Sequence, residues 1–374
     1  MGIDTIEAIP VAYPEPNDFN ATRHLCLVKI TADGLVGWGE SVTMWPEASQ
    51  ATAAVVNGLA PLLVGADPVD NGGLWHTMKD HAWWYGYGGG IASFAIAAID
   101  IALWDLKGKM LGASVCTLLG GPVHARLPAV ASAHAHHDSL DEMADEALGW
   151  LEDGLRGLKV GFGKRGNANL GFDHDRDVAY VRTMREVIGP ERMLMIDLGV
   201  RVRWDIATAV RRIQAFDEYL VDWVEEPLGA WDPTGYAELR SKTRSRIAYG
   251  EREWTLHGYQ RILATGTCDV VGIDPGRVEG ITGFNRVAEL VQQHRRQANA
   301  HAWSSAIVTA ASLAVSFASP ACRLFEIKPL RNPMQHDLVA DPFGHVGGWV
   351  RPPVDRPGLG VDVLEDVVDR YRVG

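Results

Sequence analysis

Between residues 126 and 326 the chain repeats one pattern, a short apolar run that closes on a polar residue or, once, on a glycine. The runs end at His134, Gly161, Asp197, Glu225, Glu251, Asp274, His301 and Glu326, spaced 23 to 36 residues apart. Amphipathic stretches with helical periodicity lie between several of them, such as Ile206 to Ala215 and Val287 to Gln293. One strand, one helix and two loops fill such an interval. Eight such units predict a parallel (β/α)8-type barrel, whose active site forms where the strands end. The residues closing the runs are therefore functional candidates as a set.

The first 125 residues read differently. Residues 24–40 alternate as a strand, the turn Ala32-Asp33-Gly34 and a second strand, and Asp-Gly between apolar runs is a hairpin signal. Residues 91–111 place Ile91, Phe94, Ile96, Ile99, Ala102, Leu103 and Leu106 at helical spacing. Strands followed by helices predict an α+β unit over 1–125 and a barrel over 126–349. The Pro- and Gly-containing residues 350–374 are expected to return to the first unit. The 374-residue length suits a barrel plus a second unit.

A formal net charge of -12 argues against nucleic acid or an anionic membrane as partner. An acidic chain that handles an acidic substrate needs local positive charge, and a bound divalent metal supplies it. Cys26, Cys116, Cys268 and Cys322 form no CxxC pair and read as reduced core thiols. No signal-peptide pattern and no long apolar span is visible, so a cytoplasmic protein is expected. A symmetric homo-oligomer is expected too, because closed symmetric assemblies are common.

Three successive strands, the third to the fifth, end in Asp197, Glu225 and Glu251. Three like charges share a dry pocket only if protonated or neutralised by a cation. Hard oxygen ligands select Mg²⁺, while pairing with Arg or Lys at the barrel mouth is the bland alternative. Glu226, adjacent in its strand to Glu225, is expected to point to the opposite side as a supporting partner. Asp274 and His301 end the next two strands, and an Asp beside a His makes a general base suited to neutral pH. Glu326 ends the eighth strand, within reach of a substrate carboxylate or hydroxyl.

The layout resembles the enolase superfamily, its mandelate racemase subgroup in particular. The resemblance rests on Ala98 to Lys109 followed by Leu119-Gly-Gly121, on Leu194 to Asp197, Trp223 to Pro227 and Tyr249 to Glu251, and on Ile273-Asp274 through Gly283. It covers nearly the whole chain. It implies a modified (β/α)7β TIM-type barrel under an N-terminal α+β capping domain, and a Mg²⁺ on the three acids that binds a substrate carboxylate and stabilises an enediolate. It also implies two capping loops, about residues 13–23 and 76–90, the second carrying Trp84 and Tyr85 as possible substrate contacts or interface packing.

Three positions depart from the family pattern. Relatives commonly carry Lys-x-Lys on the second strand, where this chain has Lys159-Val160-Gly161. Lys159 is left to support the substrate carboxylate, and Lys164 is a possible substitute for the missing second base. Gly199 and Arg252 stand where Asn is usual; Arg252 and His134 are further expected substrate contacts. Racemisation needs proton transfer on two faces, whereas His301 with Asp274 suffices to take an α-proton and assist loss of a β-hydroxyl. The expectation is a sugar-acid dehydratase giving a 2-keto-3-deoxy acid. An epimerase, racemase or lactone cycloisomerase is the alternative, and a catalytically silent sugar-acid binder the third reading.

Overall fold

The structure is a computed structural model that describes residues 2–374. The N-terminal unit begins with three antiparallel strands, β1 (Thr5–Glu15), β2 (Ala21–Ala32) and β3 (Leu35–Met44), paired in that order. The Asp33-Gly34 turn joins the last two, as the hairpin signal predicts, with both residues at positive φ. Helices α1 (Pro46–Leu63), α2 (Asn71–Gly86), α3 (Ile91–Leu111) and α4 (Val115–Leu118) follow. Helix α3 lies directly on β3, which glycines permit. A Cβ on Gly39 or Gly37 would collide with the backbone carbonyls of Ala98 and Ala102.

The barrel alternates β4 (Leu127–His134), α5 (Leu140–Glu152), β5 (Gly157–Phe162), α6 (His174–Ile188), β6 (Met193–Leu198) and α7 (Ile206–Phe216). It continues with β7 (Trp223–Glu225), α8 (Pro233–Lys242), β8 (Arg246–Tyr249), α9 (Leu256–Ala264), β9 (Val270–Ile273) and α10 (Gly280–Gln293). It ends with β10 (Gln297–Ala300), α11 (Ala306–Ala318) and β11 (Phe325–Ile327). The eight strands form one parallel sheet in the order β10-β9-β8-β7-β6-β5-β4-β11. A parallel bridge between Ala298 and Cys322 spans the remaining seam. Seven helices separate eight strands, the (β/α)7β arrangement. After β11 come only α12 (Pro333–His336), the short strand β12 (Trp349–Val350), which pairs antiparallel with β4, and α13 (Glu365–Tyr371).

Local sequence sets these boundaries. Ser139, Asp173, Asp205, Asp232, Thr255 and Ser305 cap six of the barrel helices by accepting backbone N–H groups. Helix α10 has no such cap, because Glu279 precedes it at φ 64 and its side chain bonds Lys79 and Ser93 instead of the helix start. Asp100 of α3 serves instead, accepting from Thr282 N at 2.9 Å and Thr282 Oγ1 at 2.6 Å. That accounts for one acid of the Ala98–Lys109 segment. Asp105 accounts for the other, accepting from Trp38 N at 2.9 Å and Leu359 N at 2.8 Å.

Two further buried acids join the units. Glu40 of β3 accepts from Ser304, Ser305 and the amides that open α11. Glu15, at the end of β1, accepts from Lys328 Nζ at 2.8 Å. The C-terminal segment runs back to the N-terminal unit, with bridges Ser114–Gly358 and Val11–Arg372. All four cysteines are buried and free. Among the described residues no helix is long and apolar enough to cross a membrane.

Candidate active site

Val130, Met195, Trp223, Ala248, Val270 and Leu324 form a separate buried cluster contributed by six segments of the barrel. Side chains on one face of a strand recur every second residue, so Ser132, Asp197 and Glu225 stand one layer above Val130, Met195 and Trp223. Asp197 and Glu225 are direct register partners on adjacent parallel strands. Glu251 follows from the turn after β8. Above this floor opens a cavity of ≈ 750 Å³. Its wall includes Asp197, Glu251, Asp274, His301, Lys159 and Lys164.

His301 Nδ1 lies 2.8 Å from Asp274 Oδ2, and its Nε2 lies 3.7 Å from Glu251 Oε2. Asp274 Oδ1 accepts from Gly276 N at 2.8 Å, so the carboxylate that orients the imidazole is itself fixed. Burial works against charging His301, but Glu251 and Asp274 carry its pKa up to about 9.

The acids are held apart by lysines. Lys159 Nζ stands 2.8 Å from both Glu225 Oε2 and Glu326 Oε1, and Lys164 Nζ stands 3.1 Å from Asp197 Oδ2. Burial opposes its charge, yet Lys159 is kept protonated well above the ordinary range by Glu225 and Glu326. Burial pushes the Glu225 carboxyl up to about 7, with Glu251 and Asp197 adding and Lys159 opposing. For Asp197 the lysines outweigh burial and hold it well below the usual carboxylate range. The alternative to a metal, pairing with cations, is thus present within the acid cluster. As these side chains lie, no three His, Cys, Asp or Glu among the described residues form a ready ligand set.

Several expectations change in detail. Glu226 does not continue the strand alternation. β7 ends at Glu225, and Glu226 turns to φ 48, a left-handed conformation costly for a side-chain residue. Its carboxylate stays buried, with Arg252 Nε 2.7 Å from Oε2 and no hydrogen bond on either oxygen. Burial pushes it up to about 8, with Glu251 adding and Arg252 opposing. Glu326 lies behind the cavity wall, bonded to Lys159 and to Asn299 Nδ2 at 2.6 Å, so it does not reach for substrate. Residues 76–86 are the end of α2 and not a loop; Trp84 and Tyr85 project outward, 80% and 54% exposed, away from the cavity lining.

Gly161 marks the place where Lys164 is weighed as a substitute base. The space it leaves is filled: a Cβ there would meet Lys164 Cε at 2.5 Å and Cγ at 2.7 Å, and His134 Cδ2 at 2.9 Å. Lys164 therefore lies over the position where a second-strand base is missing. His134 and Arg252 line the cavity as expected. Asp18, Arg23 and Trp303 also line it and carried no clear sequence signal beyond lying in or near the expected 13–23 segment and the His301 strand end. The Trp303 ring stacks on His134 at 4.6 Å between centroids and its Nε1 donates to Ser132 Oγ at 2.9 Å.

Comparison with known proteins agrees with this fold. Residues 17–120 match the family model described as mandelate racemase / muconate lactonizing enzyme, N-terminal domain. Residues 142–367 match the one described as enolase C-terminal domain-like. The chain belongs to the enolase superfamily, in its mandelate racemase subgroup. It is 28% identical to the D-galactarolactone cycloisomerase of Agrobacterium fabrum, over 95% of this chain and 93% of that one. It is 32% identical to the D-galactonate dehydratase of Ralstonia nicotianae, over 91% and 89% of the two chains. Among solved structures it superposes on L-talarate dehydratase from Polaromonas sp. JS666, complexed with Mg and L-glucarate, with TM-score 0.87 and 26% identity, covering 100% of this chain and 98% of that one. It is an enzyme of this superfamily, and its relatives are hydro-lyases and isomerases.

Proposed function

We propose that this enzyme is a Mg²⁺-dependent sugar-acid dehydratase that removes the α-proton of its substrate with His301 and yields a 2-keto-3-deoxy acid. The observation that carries the reading is the His301–Asp274 pair at 2.8 Å, set on the ends of adjoining strands in the same cavity as Asp197 and Glu251, with Glu225 in register beside Asp197. Names of relatives support sugar acids as the substrate class.

The residues present fit a hard divalent cation. The donors are carboxylate oxygens from three successive strand ends, and no Cys lies among them. Burial and neighbouring acids push Glu225 and Glu226 up although Lys159 and Arg252 stand against them, so the cluster holds more carboxylates than its cations answer. Asp197, Glu225 and Glu251 would hold the ion. Bound there, Mg²⁺ supplies positive charge where negative charge develops on the substrate carboxylate. Asp274 fixes the ring so that His301 Nε2 faces the cavity, and a cation on Glu251 would offset the charge that most raises the imidazole, freeing it to act as base. Once protonated, the same nitrogen can pass its proton to the departing β-hydroxyl. Lys159, bonded to Glu225 and Glu326, holds fixed positive charge at the cavity floor.

One observation favours cycloisomerisation or epimerisation as the second reading, namely Lys164 lying over Gly161 on the wall opposite His301. Incubating the enzyme and Mg²⁺ with four- to six-carbon mono- and diacid sugars separates the two. Formation of 2-keto acid supports dehydration; an isomeric product without keto acid replaces it. Failure of every sugar acid to react or to exchange its α-proton in D₂O overturns the proposal.

A further inference from the structure

The acids of the cavity concentrate on β6 to β9, while its other end is basic. Arg23 enters from β2 of the capping unit, and Arg165 and Arg201 stand on the loops after β5 and β6. In the closed ring of eight strands these loops lie three to four strands from β10, so they face His301 across the mouth. Asp18 is the acid placed among them. Arg23 Nη2 is 3.2 Å from Asp18 Oδ2 and Arg165 Nε is 3.9 Å from Oδ1. His134 Nδ1, 3.5 Å from the same Oδ1, adds no settled charge, because burial lowers its pKa. One carboxylate thus faces two guanidinium groups, with Arg201 a third on the same wall, its Nη1 bonded to Lys164 O at 2.8 Å.

Arg23 is only 7% exposed, packs over Trp303 at 5.1 Å, and its Nε has no hydrogen-bond partner. Arg23 lines the cavity and its guanidinium gives one bond to Asp18, which leaves it donors for a further anion. In a chain of net charge -12, this local excess of positive charge is a built feature.

We propose that the end of the substrate remote from the reacting carbon carries a second carboxylate, received by Arg23 and Arg165, so that the enzyme takes dicarboxylic sugar acids in preference to monocarboxylic ones. This rests on the sugar-acid reading above and narrows it. Planar guanidinium groups suit a carboxylate through paired N–H donors; Asp18 holds Arg23 and lies near the more exposed Arg165, leaving net positive charge between them. A terminal hydroxyl in that place would leave the charge unanswered.

The test measures binding apart from turnover. With Mg²⁺ present, calorimetry compares adipate, an unreactive six-carbon dicarboxylate, with hexanoate, its monocarboxylate counterpart. Adipate is expected to bind about tenfold to a hundredfold more tightly, as one charge-assisted pair implies. In Arg165→Met the ratio should fall toward one, and Arg165→Lys should keep part of it; circular dichroism checks that the variants fold. Equal affinities in the native enzyme, or an undiminished ratio in both Arg165→Met and Arg23→Met, overturn the proposal. Turnover separates the two claims: faster reaction of monoacid than of matched diacid sugars sinks this inference alone. Inertness toward all of them sinks the sugar-acid reading, and the adipate ratio still decides the anion site.

Discussion

Replacing Lys164 by Met tests whether elimination here needs one proton-transfer group or two. The Lys164–Asp197 pair spans 3.1 Å, and its side chains are 22% and 20% exposed. Such a partly solvated pair contributes about 0.2–1 kcal/mol to stability, and if Lys164 gives the reaction no more than that, its loss slows turnover by about fivefold. A positioned acid or base, by contrast, contributes about 10²–10⁴ in rate. The two ranges do not overlap. The assay is steady-state 2-keto acid formation on whichever sugar acid the native enzyme dehydrates, with α-proton exchange in D₂O followed by NMR. If His301 alone moves protons, Lys164→Met keeps exchange and dehydrates within about fivefold of native. Gly161→Ala offers an independent approach, because its Cβ would push Lys164 from the wall without removing the ammonium. A loss of a hundredfold or more in Lys164→Met, with the fold intact, refutes one-base elimination and favours the isomerase reading.

Four other outcomes are expected. His301→Asn should lose about 10²–10⁴ in kcat while melting like the native protein; undiminished activity would sink the mechanism. Mg²⁺ at about a hundred times its Kd should stabilise the fold by about 2.7 kcal/mol, seen as a thermal shift that Glu251→Gln abolishes; an equal shift in that variant removes Glu251 from the metal site. Glu15 is buried beside Lys328, and although burial opposes it, the pair and Asn17 hold its carboxyl down at about 2 against an ordinary 4.5. A depressed carboxyl stabilises the fold above its unfolded pKa, so about 3 kcal/mol is present above pH 4.5 and lost as pH falls toward 2. Urea midpoints should show Glu15→Gln destabilised at pH 7, with the gap closing in acid; a constant gap refutes the assignment. Asp100→Ala should cost about 1–3 kcal/mol by stripping the start of α10 of its acceptor. Asp100→Asn should cost less, since burial already pushes that carboxyl up to about 7.

The barrel was readable because buried parallel strands are short apolar runs and because barrel geometry puts their last residues in the site. Asp197, Glu225, Asp274 and His301 all come from that rule, and Ile91–Leu111 emerged as α3 with the expected ends. The family resemblance puts residues 76–86 in a loop, whereas they are helical. The helical signal was present in Leu74, Trp75, Met78 and Ala82, which form the buried stripe of α2 and leave Trp83, Trp84 and Tyr85 outside. Glu15 with Lys328 could not be read, since the partners lie 313 positions apart and nothing local marks either as buried.

The site shows where a strand rule stops. Alternation holds only while the backbone is extended, and at Glu226 the chain turns left-handed one residue after β7 ends. A fourth acid is thereby kept buried beside Glu225 instead of being turned to the far side, and Arg252, the residue that departs from the family's usual Asn, stands against it. The same reasoning applies to Gly161. Sequence alone reads it as a missing base, because a glycine has nothing to donate. In three dimensions a vacancy beside a strand is room for a neighbour, and Lys164, three residues on, lies in that room with its ammonium on Asp197. Loss of a residue type at one position therefore does not establish loss of its charge from the site. The choice between elimination and isomerisation turns on whether Lys164 transfers a proton there or only holds a charge.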